Sequence, residues 1–145
     1  MSDKIKFQCN LSTTGSTAPL GFEVLLNNQS VFKTSHVTEP CQVMFDITDN
    51  EATQKLQFVM TGKTAEHTKV DDHGTITDDA MLEINNITID EIDIGLIVTN
   101  KSEYVHDFNG TSEVVTDKFY SNMGCNGTVT LEFTTPFYLW LLENM

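Results

Sequence analysis

Apolar and polar residues take turns along most of this chain. Lys4-Ile5-Lys6-Phe7-Gln8-Cys9 alternates, as do Cys41-Gln42-Val43-Met44-Phe45-Asp46-Ile47, Gln54-Lys55-Leu56-Gln57-Phe58-Val59-Met60 and Thr128-Val129-Thr130-Leu131-Glu132-Phe133-Thr134. Successive side chains of a strand point to opposite faces. Each run therefore predicts a strand with one face on a core and one in water, the habit of antiparallel sheets. Gly21 to Leu26 and Ser30 to Thr34 flank Asn27-Asn28-Gln29, which predicts a hairpin whose Asn residues take positive φ. Leu82/Ile84 and Ile87/Ile89 predict two short strands that run on through Ile92 and Ile94 to a break at Gly95. Glu103 to Phe108 predicts another, ending at Asn109-Gly110. Short strands between regular turn signals predict an all-β fold, an antiparallel β-sandwich or jelly roll, that fills residues 1–145 as a single domain.

Three segments depart from that rhythm. Residues 112–123 carry the helical signal: Ser112 as a cap, Val115 and Phe119 four apart, and Gly124 as a stop. Residues 61–79 are polar and rich in Asp, Thr, His and Gly; a loop of that length in a compact domain predicts function or disorder. The tail, Pro136-Phe137-Tyr138-Leu139-Trp140-Leu141-Leu142 and on to Met145, is apolar on both faces. It is too short to span a bilayer, so it predicts either a buried last strand or a contact with another subunit.

Charge narrows the partners. There are 21 acidic residues against 8 basic ones, for a net charge of −13, and every basic residue is Lys. Nucleic acid and anionic membrane surfaces both ask for the opposite field, so neither is an expected partner. A cation or a basic protein would be drawn to it. Cys9, Cys41 and Cys125 are sparse and odd in number, which argues against a disulfide scaffold or a zinc ribbon. Cys9 and Cys41 fall in alternating runs and read as small core residues. The first residues lead straight into a strand, with no signal-like segment, so synthesis in a reducing cytosol is expected.

The acids concentrate. Residues 64–107 hold eleven acids against two lysines. Asp71-Asp72 and Asp78-Asp79 flank His73-Gly74, a turn able to fold the two pairs together. Several hard oxygens on a loop suit Ca²⁺, although the spacing is not that of an EF-hand; a solvated acidic loop is the competing reading. His36, His67, His73 and His106 form no HxH or HExxH pair, so zinc is not expected. No nucleophile elbow, P-loop or dinucleotide fingerprint is present, and Cys125 has no base at a fixed spacing. The expectation is a protein that binds or builds rather than an enzyme. Flat rings stack on sugar faces, and Tyr104, Phe108, Tyr120, Tyr138 and Trp140 are the aromatic candidates, with Tyr104 expected to be partly exposed.

Two resemblances arise from these residues. The order Gly21 to Thr34, Val43-Met44-Phe45-Asp46-Ile47, Lys55-Leu56-Gln57-Phe58, an Asp-rich loop and then Met81 to Asp90 resembles the calcium-using jelly-roll carbohydrate-binding modules of the small xylan-binding type. That likeness implies an ion held by Asp71, Asp72, Asp78 and Asp79, with a glycan completing its shell; His73 and Tyr104 are the residues expected to flank that ligand. The texture of Gly62 to Asp71, His106 to Thr111 and Phe133 to Met145 resembles small proteins of marine tailed phages. It implies synthesis in a bacterial host and incorporation into a virion. The leading expectation is thus a phage-encoded, non-catalytic module that takes a carbohydrate or cation-assisted ligand at residues 61–79. The alternative is a decoration or appendage protein of the virion that meets itself or other virion proteins through residues 137–145.

Overall fold

In the computed structural model, the described residues are 3–14, 20–37, 40–62, 68–79, 81–106, 113–123 and 126–144. They form β1 (Asp3–Thr14), β2 (Leu20–Leu26), β3 (Gln29–Val37), β4 (Cys41–Asp49), β5 (Thr53–Thr61), β6 (Thr68–Val70), β7 (Ile76–Asp79), β8 (Met81–Ile89), β9 (Ile92–Asp93), α1 (Gly95–Lys101), β10 (Glu103–His106), β11 (Val115–Asp117), β12 (Asn122–Met123), β13 (Gly127–Thr134) and α2 (Phe137–Asn144).

The alternation dictates how these strands pack. Ile5, Phe7, Cys9 and Leu11 of β1, Leu56, Phe58 and Met60 of β5, and Val129, Leu131 and Phe133 of β13 are all buried. Their neighbours in sequence face outward or toward the sheet surface. Two antiparallel sheets bury those faces against each other. One runs β12-β8-β1-β4, with β9 also paired to β8; the other runs β11-β10-β13-β5-β2-β3. Phe7 of the first sheet meets Phe58 of the second with ring centroids 6.1 Å apart, and Phe58 continues to Phe22 at 5.9 Å. The result is the expected antiparallel, jelly-roll-like β-sandwich. The Asn27-Asn28 hairpin also forms as the sequence predicts, with φ of 52° and 68°, the mirror-image turn whose twist matches that of paired strands.

Four local expectations are corrected. Residues 113–123 are not helical: they form β11 and β12 around an irregular crossing, and residue 112 lies outside the described residues. The two short strands expected before Ile92 are one strand, β8, broken in register by a bulge opposite β1. Residues 61–79 are not one long loop, because β6 and β7 pair as a hairpin (residues 63–67 lie outside the described residues). Pro136 fixes the start of a helix, α2, in the tail for which a buried last strand or a subunit contact was expected. Phe137, Trp140 and Leu141 recur at helical spacing and are buried, with Phe137 edge-on to Phe133 at 5.9 Å.

Next to α2 the sandwich is closed by polar groups that satisfy one another. Gln54 is 2% exposed. Its Nε2 donates to Asn50 Oδ1 at 2.7 Å, and its Oε1 accepts from Asn27 Nδ2 at 2.6 Å. Thr135 Oγ1 accepts from the Ala52 amide at 3.0 Å. Tyr138 ties α2 to the first sheet: its hydroxyl donates to Asp90 Oδ2 at 2.8 Å, while Asp90 Oδ1 accepts from the Lys6 amide at 2.8 Å. That hydrogen bond to a carboxylate pushes the Tyr138 hydroxyl pKa up, with burial adding to it. No helix among the described residues is long and apolar enough to cross a membrane.

Candidate functional site

A cleft of about 510 Å³ opens where the edges of the two sheets face each other. One wall is β10 and its edge neighbour β11; the other is β12, at the edge of the opposite sheet. Inward-facing positions on a central strand are sealed by both neighbours. At the last strand the same positions meet water. Tyr104 pairs in register with Asp117, and His106 with Val115, so Tyr104, His106 and Asp117 share one face of the sheet. His106 Nε2 lies 2.7 Å from Asp117 Oδ2. The His106 side chain is 6% exposed and the Asp117 side chain 59%, so the pair spans the floor and lip of the cleft. The rings of Tyr104 and His106 lie against each other at 4.6 Å.

Gly127 makes this floor possible. It pairs with His106, and a Cβ there would collide with the Val105 carbonyl oxygen and come within 2.9 Å of His106 Cβ and 3.1 Å of the Tyr104 ring. Any larger residue would push β10 away from β13.

The crossing between the sheets builds the rest. Phe119 turns inward, 1% exposed, and packs on Phe58 at 6.1 Å. Tyr120 is thereby sent the other way and is 66% exposed at the cleft. Ser121 reverses the chain at φ 71°, and its carbonyl accepts from the Ile84 amide at 2.8 Å. Lys118 and Asn122 on either side of that anchor, with Thr116, complete the lining. A bare aromatic ring thus stands beside a carboxylate, an ammonium, an imidazole, an amide and a hydroxyl.

The acids singled out in the sequence sit elsewhere. Asp71, Asp72 and His73 form the exposed turn of the β6–β7 hairpin. Asp71 Oδ1 accepts from the His73 amide at 2.9 Å and the Thr75 amide at 3.0 Å, and Gly74 closes the turn at φ 80°. This carboxylate holds its own turn, as Asp does in many turns. Asp78 and Asp79 pair in backbone register with Lys69 and Thr68; their side chains lie outside the described set. Among the described residues there is no group of three or more His, Cys, Asp or Glu side chains able to hold a metal. His73 is on the hairpin and Tyr104 in the cleft floor, so the two are parts of different elements. Tyr104 is 6% exposed, a correction to the expected partial exposure. Phe108 and Cys125 lie outside the described residues.

Sequence reading missed the His106–Asp117 pairing, whose signal lies in the strand register rather than in any motif. Cys41, expected in the core, is exposed at the start of β4. Cys9 is buried, and burial, with Cys41 nearby, pushes its thiol pKa up to about 12.

No family model matches this chain, and no curated protein matches it. Among solved structures, one described as "vCBM60 in complex with galactobiose" matches with a TM-score of 0.46 and 9% sequence identity, covering 86% of this chain and 96% of that chain. A likeness that distant does not carry a ligand across to this protein.

Proposed function

We propose that this protein is a non-catalytic module that binds carbohydrate in the cleft between β10–β11 and β12. The observation that carries the reading is Tyr120, a ring 66% exposed at the lip of a cleft of about 510 Å³. An exposed ring offers an apolar platform for the C–H face of a sugar. Around it, Asp117 accepts hydrogen bonds, Lys118 donates them, and Asn122 does both, which suits hydroxyl groups that also do both. The cleft volume falls within the range of sites for small ligands. His106 and Asp117 hold each other, which fixes the carboxylate for binding.

A glycan array read with labelled protein tests this. Binding to one class of glycan, lost in Tyr120→Ala while the thermal melt is unchanged, is the expected result. An array with no hits would remove the proposal. The same array run in EDTA and then in calcium tests the ion expected at Asp71, Asp72, Asp78 and Asp79. Dependence on calcium would move the site to the hairpin.

A second reading has its own observation. Leu139 and Leu142 of α2 are 59% and 71% exposed, which favours a subunit contact between copies of this chain. A sedimentation series that stays monomeric up to high concentration would exclude it.

A further inference from the structure

The outer face of the first sheet carries a different kind of cleft. It has a volume of about 420 Å³ and is built around β1, β4 and β8. Asn10 of β1 is in register with Gln42 of β4 on one side and with Asn85 of β8 on the other. Three amides therefore stand in a row across three strands, because register partners share a face. A fourth joins them through a defect in the ladder. The β1–β8 register shifts between Gln8 and Asn10, and Asn86 takes φ 53°. A regular strand would send Asn85 and Asn86 to opposite faces. Here both are exposed, in the midst of an otherwise alternating strand. Bulges of this kind re-aim side chains and recur beside binding sites.

None of the residues lining this cleft is charged, in a chain of net charge −13. An amide presents a donor and an acceptor side by side, and Ser12 adds a hydroxyl. Such a lining rewards a neutral ligand rich in groups that both donate and accept, and it holds no formal charge to pair with an anion or a cation. The geometry points to a second saccharide site here, for a neutral glycan gripped by hydrogen bonds without a stacking ring. The class of ligand rests on the glycan-binding reading of the Tyr120 cleft; the place rests on the amide row alone.

Side-chain amide signals in ¹⁵N–¹H correlation spectra read this cleft directly. The probes are neutral gluco-, xylo-, manno- and galacto-oligosaccharides. With one of these classes, the NH₂ pairs of Asn10, Gln42, Asn85 and Asn86 are expected to shift saturably, and to do so equally in Tyr120→Ala. Asn10→Ala, or Gln42→Ala should the first variant fold poorly, is expected to weaken that response by about 3- to 10-fold, as loss of a hydrogen-bonding amide should. If signals around Tyr120 move while the four amide pairs stay still, this inference fails and the first site stands. If neither region responds to any probe, both fail. Movement of the amide pairs that disappears in Tyr120→Ala would make them a remote reporter and also overturn a second site.

Discussion

The end of the sandwich closed by α2 and the edge opened at Tyr120 use the same kinds of side chain to opposite effect. At the closed end, Asn27, Asn50, Gln54 and Thr135 spend their polar atoms on one another, and Phe137 and Trp140 turn their rings into the core. At the open edge, Asp117, Lys118 and Asn122 face solvent and Tyr120 lies bare. Polar groups aimed inward must be paired, because an unpaired buried group costs about 1–3 kcal/mol. Groups at a sheet edge are under no such demand. What they offer to solvent they can offer to a ligand.

Each region can be broken separately. The largest expected effect is Phe137→Ala, which removes the ring that seals the closed end. A loss of about 3–5 kcal/mol is expected in chemical denaturation, with glycan affinity unchanged in the fraction that remains folded. A loss below about 1 kcal/mol would mean that α2 is a surface attachment.

The core that both regions share sets an alkaline limit. Cys9 is held neutral up to about pH 12 in the folded chain, against an ordinary value near 9. The folded state therefore keeps a proton that the unfolded state releases. Its contribution is complete below pH 9 and is lost as pH rises from 9 to 12, by at most ~4 kcal/mol. Denaturation curves of the natural chain and of Cys9→Val should diverge in that window. Parallel curves would contradict the assignment.

Gln54→Ala should cost less, about 1–3 kcal/mol, by emptying a buried position and removing its hydrogen bonds to Asn27 and Asn50. It tests whether the closed end is a structural network, since ligand binding should not change. At the open edge the stability effects shrink to near zero: Lys118→Ala should leave the melt within about 0.5 kcal/mol while weakening ligand binding several-fold.

Much of this contrast was not legible in the sequence. Period-two alternation exposed the strands wherever one face met water, as in Val129, Leu131 and Phe133, and Asn27-Asn28 announced its turn. The tail hid its helix because both of its faces are apolar; the spacing of Phe137, Trp140 and Leu141 was the available signal. Val115 and Phe119 have helical spacing by coincidence, one being on an edge strand and the other in a crossing. The aromatic candidates included Tyr104 and Tyr120, but their opposite fates depend on the face Tyr104 takes in β10 and on which way Phe119 turns. The His106–Asp117 pair depends on register between two short strands, which no local pattern records. The acidic run drew attention to residues 71–79 because charge is visible in a sequence. A cleft made by two sheet edges is not.

Calorimetric titration of the best array ligand into the natural chain and into Tyr120→Ala addresses the central claim most directly. Saturable binding that falls at least ~10-fold in the variant, with an unchanged melting temperature, is the predicted result. Equal affinity in the two proteins would contradict it.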